Sequence, residues 1–162
     1  MLMEVDQRRY TAVMTDAIPA AYARHTLPGH QAIVCQGDFG ILLSQVRERG
    51  DHSLWVHYFT FHYDMELFIW PKEACTSLCY AWENSCNIIP PGRQNAAAIN
   101  IAEGQLIALP FLARKYTVQF QQGVYKSIHV TVSNRYSTLL KQPGHINRLL
   151  DAYLNEISFY LR

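Results

Sequence analysis

The sequence lacks an excess of charge of either sign. Its 14 Lys and Arg residues against 13 Asp and Glu residues give a formal net charge of +1. A surface that binds nucleic acid needs a basic patch or stripe to neutralise phosphates, and nothing in the sequence resembles one. Direct DNA binding by this chain is therefore not expected.

The N-terminal segment lacks an apolar run. The first ten residues carry Glu4, Asp6, Arg8 and Arg9, so neither a secretory signal nor a membrane span is indicated. The resulting expectation is a cytoplasmic protein without membrane contact.

Cysteine is scarce, with four residues, Cys35, Cys75, Cys79 and Cys86. A chain of 162 residues that is 49% hydrophobic can bury one sizeable core without disulfides, so reduced and buried thiols are predicted. Cys75 and Cys79 lie in a segment with strand character. Four residues along a strand span roughly 13 Å, too far for both sulfurs to bind one zinc ion.

Signatures of enzymes are also missing. The sequence contains no G-x-S-x-G, P-loop, dinucleotide fingerprint or H-E-x-x-H pattern. Asp64 and Glu66 could pair as acid and base, but on a short polar turn they are interpreted as solvated side chains. The sequence predicts a protein that is not an enzyme.

What the sequence does contain is a series of short strands separated by turn residues. The predicted strands are 41–49, 54–63, 67–70, 75–83, 97–101, 105–110, 116–121 and 125–133. Antiparallel strands without interleaved helices favour a sandwich or barrel, and hence a mainly β fold. Residues 1–37 are less regular and are interpreted as an N-terminal arm, with a short helix or loose segment around 8–17.

After residue 133 the hydrophobic period changes from 2 to 3.6, which predicts C-terminal α-helices over 134–162. In the last of these, apolar residues form a stripe roughly 140° wide on one helix face. The stripe could pack on the protein's own barrel or meet a second copy. The candidate dimerisation residues are Leu150, Tyr153, Leu154, Ile157, Phe159 and Leu161. No glycine or proline caps the pattern at Arg162, which suggests a piece of a longer protein.

Two long segments carry a resemblance to a known family. They are "FGILLSQVRERGDHSLWVHYFTFHYDMELFIW" and "EGQLIALPFLARKYTVQFQQGVYKSIHVTVSNRYSTLL". The pattern includes a Trp in the second strand, an E-G-Q turn, a Pro-Phe ending and a G-x-Y strand. Over roughly residues 38–141 it resembles the N-terminal cupin-type sensor domain of AraC/XylS-type transcription regulators.

The resemblance implies a cupin-like jelly-roll barrel over 38–133 followed by dimerising helices over 134–162. It also implies a helix-turn-helix domain that is absent from this chain, so that DNA is contacted only through that missing part. The implied function is ligand sensing and dimerisation, with the chain itself and an unknown small-molecule effector as partners. No cofactor is expected.

The metal-binding positions of cupins are not matched. In the second cupin motif, Gly104 and Pro110 stand in place, but Lys115 replaces the His ligand and Gln119 replaces Asn. In the first motif the nearest match begins with His57 and His62. They are five residues apart and therefore point to opposite faces of a strand. No metal site is predicted.

An aromatic interior remains as the candidate site. Side chains with apolar bodies and a few polar groups are typical of a small-molecule cavity. The candidate ligand-binding residues are Trp55, His57, Phe59, Tyr80, Trp82 and His129. Side chains that simply fill a barrel have the same composition, so both interpretations stay open. The alternatives in function are a stand-alone metal-dependent cupin enzyme and a filled barrel that serves as a protein-interaction module.

Overall fold

The computed structural model describes residues 2–92, 97–134, 144, 148 and 151–155. Within these residues the chain forms twelve strands and one 3₁₀ helix, Ala20–His25. The strands are β1 (Leu2–Val5), β2 (Ala12–Thr15), β3 (Gln31–Gly37), β4 (Gly40–Arg49), β5 (His52–Phe61), β6 (Met65–Trp70), β7 (Cys75–Glu83), β8 (Cys86–Ile89), β9 (Ile99–Ile101), β10 (Leu106–Phe111), β11 (Tyr116–Phe120) and β12 (Gly123–Ser133).

The strands form two antiparallel sheets. One has five strands in the order β1-β6-β11-β8-β9, and the other has seven in the order β10-β7-β12-β5-β4-β3-β2. The last eight strands, β5 to β12, are divided equally between the two sheets. Four of them are neighbours in the order β5-β12-β7-β10 in the seven-stranded sheet, and four in the order β6-β11-β8-β9 in the five-stranded sheet. This is the strand order of a jelly roll. The mainly β, jelly-roll prediction is confirmed.

All eight predicted strands are present, with end shifts of a few residues. The sequence reading missed β1, β2, β3 and β8. The segment around 8–17 was predicted as a short helix or loose arm, but it contains β2, which pairs with β3. Residues 2–37 extend both sheets, since β1 pairs with β6 and β3 pairs with β4. Proline and glycine in this region mark turns between short strands instead of an irregular arm.

The end of the 3₁₀ helix and the residues that follow it pack on the outer face of the seven-stranded sheet. Gln45 is 2% exposed, and its side chain accepts a hydrogen bond from the Leu27 amide and donates one to the His25 carbonyl, both at 2.7 Å. The His25 ring stacks on Tyr58 at 3.9 Å. A buried amide whose donor and acceptor are both satisfied attaches this segment firmly to the sheet.

Residues 151–155 are helical and pack on the same outer face. Tyr153 is 5% exposed among Leu54, Val56 and Leu78, and Leu154 packs against the same cluster. The Tyr153 hydroxyl lies 2.6 Å from His52 Nε2. The predicted C-terminal helix is therefore observed over these five residues. Two candidate dimerisation residues, Tyr153 and Leu154, pack on the barrel of their own chain. The other four, Leu150, Ile157, Phe159 and Leu161, lie outside the described residues.

No helix in the described part of the chain is both long and apolar enough to cross a membrane. The four cysteines are free thiols, of which Cys35, Cys75 and Cys79 are buried.

Candidate functional site

A cavity lies between the two sheets, inside the jelly roll. Its volume is about 60 Å³, enough for a few water molecules or one small organic molecule. Most of its lining is apolar. The five-stranded sheet and β10 contribute Leu67, Ile69, Ile88, Phe111 and Val118. The interior is thus largely filled by side chains, with a limited space left at its centre.

The two histidines and the cysteine nearest the centre of this cavity come from adjacent strands of the seven-stranded sheet. They are His57 on β5, His129 on β12 and Cys79 on β7. Strand pairing places Cys79 directly opposite His129 and places Ser127 opposite His57. Because alternate residues of a strand share a face, this register brings all three side chains to the inner face together.

Hydrogen bonds hold the three groups in place. Cys79 Sγ lies 3.3 Å from His129 Nδ1, and His129 Nε2 lies 3.1 Å from Ser127 Oγ. If the thiol donates to Nδ1, then Nε2–H donates to Ser127, which fixes the neutral tautomer of His129. His57 Nδ1 lies 2.9 Å from Ser44 Oγ. The two imidazole rings meet edge to face at 4.8 Å between centroids.

The electrostatics of the cavity favour uncharged groups. Burial lowers the pKa of His129 to about 4, and burial together with the neighbouring His129 lowers the pKa of His57 well below its usual value. Burial also raises the pKa of the Cys79 thiol to about 12. At neutral pH the cavity therefore presents two neutral imidazoles and one neutral thiol.

This arrangement can offer hydrogen bonds but disfavours a reactive thiolate. Nucleophilic catalysis by cysteine requires a thiolate, and burial disfavours that form of Cys79. His57 has one ring nitrogen bonded to Ser44, and its Nε2 has no hydrogen-bonding partner among the described residues. A small neutral molecule with one polar group would find apolar walls and one imidazole nitrogen to bind.

The residues present do not fit a cupin-type metal centre. Among the described residues, no three His, Cys, Asp or Glu side chains are grouped closely enough to hold a metal ion. His129 uses both ring nitrogens in hydrogen bonds. Lys115, at a cupin ligand position, lies outside the barrel with Nζ 3.7 Å from the centroid of the Phe68 ring.

The structure brings together only part of the predicted site. His57, Phe59 and His129 line the cavity. Tyr80 borders it as the residue between Cys79 and Ala81, but the side chains of Tyr80 and Trp82 pack on the outer-face cluster with Tyr153. These two aromatic residues therefore lie on the opposite face of the sheet from the histidines.

Trp55 belongs to a neighbouring chamber. Its ring stacks on His57 at 6.0 Å, and its Nε1–H donates to Ser53 Oγ at 2.9 Å. The chamber has a volume of about 220 Å³ and lies between β1 and the strands β2, β3 and β4. Met3 borders both spaces, and the hydrogen bond between Ser44 and His57 joins their walls. Trp55 contacts a cavity residue through its stacking on His57.

Sequence reasoning missed Cys79, Ser44 and Ser127. The sequence points to Cys79 only as a possible zinc ligand with Cys75, and the serines carry no signal of their own. The alternation of β12 did place Ser127 with His129 on its more polar face. What the sequence could not supply was the strand register, which sets Cys79 opposite His129.

Comparisons with known proteins show cupin-superfamily structures among those similar to this chain. A cupin-superfamily protein from Desulfitobacterium hafniense is 13% identical, with a TM-score of 0.42, and the match covers 57% of this chain and 78% of that one. An RmlC-like cupin protein from Desulfovibrio desulfuricans is 11% identical, with a TM-score of 0.41, and the match covers 80% and 87%. Ectoine synthase from P. lautus is 15% identical, with a TM-score of 0.41, and the match covers 60% and 67%.

No protein-family model and no curated protein sequence matches the chain. The similar structures are too distant in sequence to indicate an activity, and they include an enzyme. The assignment of the jelly roll rests on the chain's own strand order.

Proposed function

We propose that this chain is the ligand-sensing domain of an AraC-type transcription regulator and that it acts without catalysing a reaction. The observation that carries the proposal is the interior cavity. It combines apolar walls with the hydrogen-bonding groups of His57, His129 and Cys79, all kept neutral by burial. Such a cavity suits a small, uncharged and mostly apolar effector. The sequence resemblance supplies the regulator context.

The proposed signal would pass through the seven-stranded sheet. The strands β5, β7 and β12 carry cavity residues on one face and the cluster that holds Tyr153 on the other. Val56, Leu78 and Val130 of that cluster are neighbours in sequence of His57, Cys79 and His129. An effector that displaces an inner side chain would shift these strands under the helical segment 151–155. Coupling follows if the effector prefers one placement of that segment.

A thermal-shift screen of small neutral molecules tests ligand sensing. Binding to the folded state raises the melting temperature by mass action. A genuine effector should stabilise the parent chain and lose its effect in Ala81→Leu, which fills the cavity from β7. Ile101→Phe fills it from the other sheet and serves as a second variant if the first does not fold. Hits that stabilise all three chains equally would overturn the proposal.

The regulator context has its own test. The gene that encodes this chain should continue past Arg162 into a helix-turn-helix pattern, the element that places a recognition helix in the major groove. If the gene contains no such pattern, the proposal of a transcription regulator fails, whereas that of a ligand-binding barrel is unaffected.

We further propose that the chain forms a homodimer through its C-terminal helix. Tyr153 and Leu154 pack on the barrel, and at 100° per residue a continued helix would place Ile157 on that same face, so the contact would depend on Phe159 on the opposite face. Phe159→Glu should dissociate the dimer while the strands remain folded, since an unpaired buried carboxylate costs several kcal/mol. Sedimentation velocity and circular dichroism measure the two properties. A parent chain that is already monomeric at micromolar concentration would contradict the proposal.

A further inference from the structure

A row of polar side chains crosses the outer face of the five-stranded sheet, on the side away from the cavity. Gln119 on β11 pairs in register with Glu66 on β6 and with Asn87 on β8, and Asn87 pairs with Asn100 on β9. We call these four residues the amide row. Adjacent strands lie about 4.8 Å apart, so the row extends about 14 Å across four strands.

Hydrogen bonds fix the two ends of the amide row. Gln119 Nε2 donates to Glu66 Oε1 at 2.9 Å, and Asn100 Nδ2 donates to Asn87 Oδ1 at 2.9 Å. Among the described residues no hydrogen bond joins Gln119 to Asn87, although the two are paired in register. The middle of the row therefore presents an acceptor on Gln119 and a donor on Asn87, both oriented by the bonds on either side.

The amide row forms the floor of an open cleft of about 540 Å³, much larger than the interior cavity. Arg9, Tyr10, Asp64 and Gln121 border it. The Tyr10 ring stacks on Tyr63 at 6.0 Å between centroids, which gives the cleft an aromatic side. The Asp64 carboxylate accepts the Gln122 amide at 2.9 Å, so the turn that ends the cleft is also fixed.

Charge within the amide row is balanced, and Asp64 at the border of the cleft is a further carboxylate. Arg9 donates to Glu66 Oε2 at 3.3 Å, so the carboxylate in the row already has a cation beside it. The groups left for a ligand are therefore mainly amides. Amide side chains both donate and accept, as hydroxyl groups do. An anion or a cation would find no unmatched charge in the amide row.

Strand stability alone does not account for this composition. Asn is depleted in strands, where β-branched and aromatic residues pack better, yet it occupies paired positions on both β8 and β9. The next row on the same face, two residues further along each strand, contains Thr117 paired with Phe68 and with Ile89. β-Branched and aromatic side chains are the composition expected of a strand surface. The change from one row to the next points to a polar requirement at the amide row.

We propose that the amide row binds a neutral polyhydroxylated ligand, a saccharide, in a site separate from the interior cavity. Sugar hydroxyls would bond to Gln119 and Asn87, and the length of the row admits more than one sugar ring. The inference does not depend on the proposed effector cavity, because the two sites lie on opposite faces of the five-stranded sheet.

The test is an NMR titration of the isotopically labelled chain with maltose, cellobiose and lactose. Concentrations up to about 10 mM reach the weak affinities of small neutral ligands. At least one disaccharide should move the side-chain amide signals of Gln119, Asn87 and Asn100 and leave those of the cavity histidines in place. Asn87→Leu, which keeps the size of the side chain, should weaken binding about tenfold.

Thr117→Val is the matched control, since it removes a polar group from the same face of β11 without touching the row. It should bind as the parent does. Thermal melts of both variants separate loss of binding from loss of folding, and Asn100→Leu serves if Asn87→Leu unfolds. No shift with any of the three sugars, or shifts that Asn87→Leu leaves unchanged, would overturn the proposal.

Discussion

The two faces of the seven-stranded sheet are built from the same strands but are filled differently. On the outer face, Leu54, Val56, Ile128 and Val130 are at most 2% exposed and are closed over by Leu27 and Tyr153. On the inner face, the packing stops short and leaves a cavity next to His57, His129 and Cys79. Because the outer face of this sheet is completely packed, its strands do not by themselves require a void on the inner face. The difference is therefore a guide to where a ligand fits.

The largest expected effect comes from removing the same side chain on each face. Leu54→Ala on the closed outer face should lower the free energy of unfolding by about 4 kcal/mol, because it creates a new void in full packing. Leu42→Ala on the inner face, beside the chamber at Trp55, should cost about 2 kcal/mol, since Leu42 already borders open space. Urea denaturation of both variants measures the difference.

If Leu42→Ala proves as costly as Leu54→Ala, the chamber is closed in solution and the contrast between the faces fails. The change of unfolding free energy with urea concentration should be the same in both variants and the parent. That result would show that the substitutions act on the folded state and leave the unfolded state unchanged.

The second effect is a dependence of stability on pH that originates on the inner face. The pKa of His129 is lowered to about 4 by burial, so the unfolded chain binds this proton more readily than the folded chain. Stability should therefore fall as the pH is lowered from about 6.5 to 5, by on the order of 2 kcal/mol from His129. His57 contributes in the same direction.

Denaturation midpoints of the parent and of His129→Gln over this pH range give the measurement. The glutamine variant should lose visibly less stability between the two pH values. If both proteins lose the same stability over this pH range, His129 is hydrated and binds its proton in the folded chain.

A smaller effect is expected where the helical segment 151–155 meets the outer face. Tyr153→Phe removes the hydroxyl that lies 2.6 Å from His52 Nε2 and keeps the ring in its cluster. The expected loss is about 1 kcal/mol, the usual value of one hydrogen bond. Hydrogen exchange should also become faster in residues 151–155 and stay the same in β5 and β12. Faster exchange throughout the sheet would show that Tyr153 supports the whole barrel.

The fold could be predicted largely because hydrophobic alternation is a local signal. Strand 75–83 was found with its observed bounds, and turn residues separated it correctly from its neighbours. Three of the four missed strands, β1, β2 and β8, have four residues each, whereas β3 has seven. Among the described residues, β1 forms its ladder with β6 alone, more than sixty positions away. A local pattern carries little information about such pairing.

The candidate site was predictable only in part for a related reason. Alternation correctly placed His57 with Phe59, but it could not say which face of β7 looks inward. The aromatic side chains of Tyr80 and Trp82 favour them as site candidates, whereas Cys79 and Ala81 are the residues that face the cavity. The choice between faces depends on the register with β12 and on what covers the outer side, and both are long-range features.

The central claim, that the interior cavity binds small uncharged molecules, is tested most directly by histidine side-chain NMR. Isobutanol and isobutyrate have similar shapes and differ in charge. With isobutanol the imidazole signals of His57 and His129 should shift in a saturable manner, and this shift should be absent in Ala81→Leu. Isobutyrate should leave both signals in place, because neutral, buried groups cannot compensate a carboxylate. Equal shifts with both compounds, or none with either, would contradict the claim.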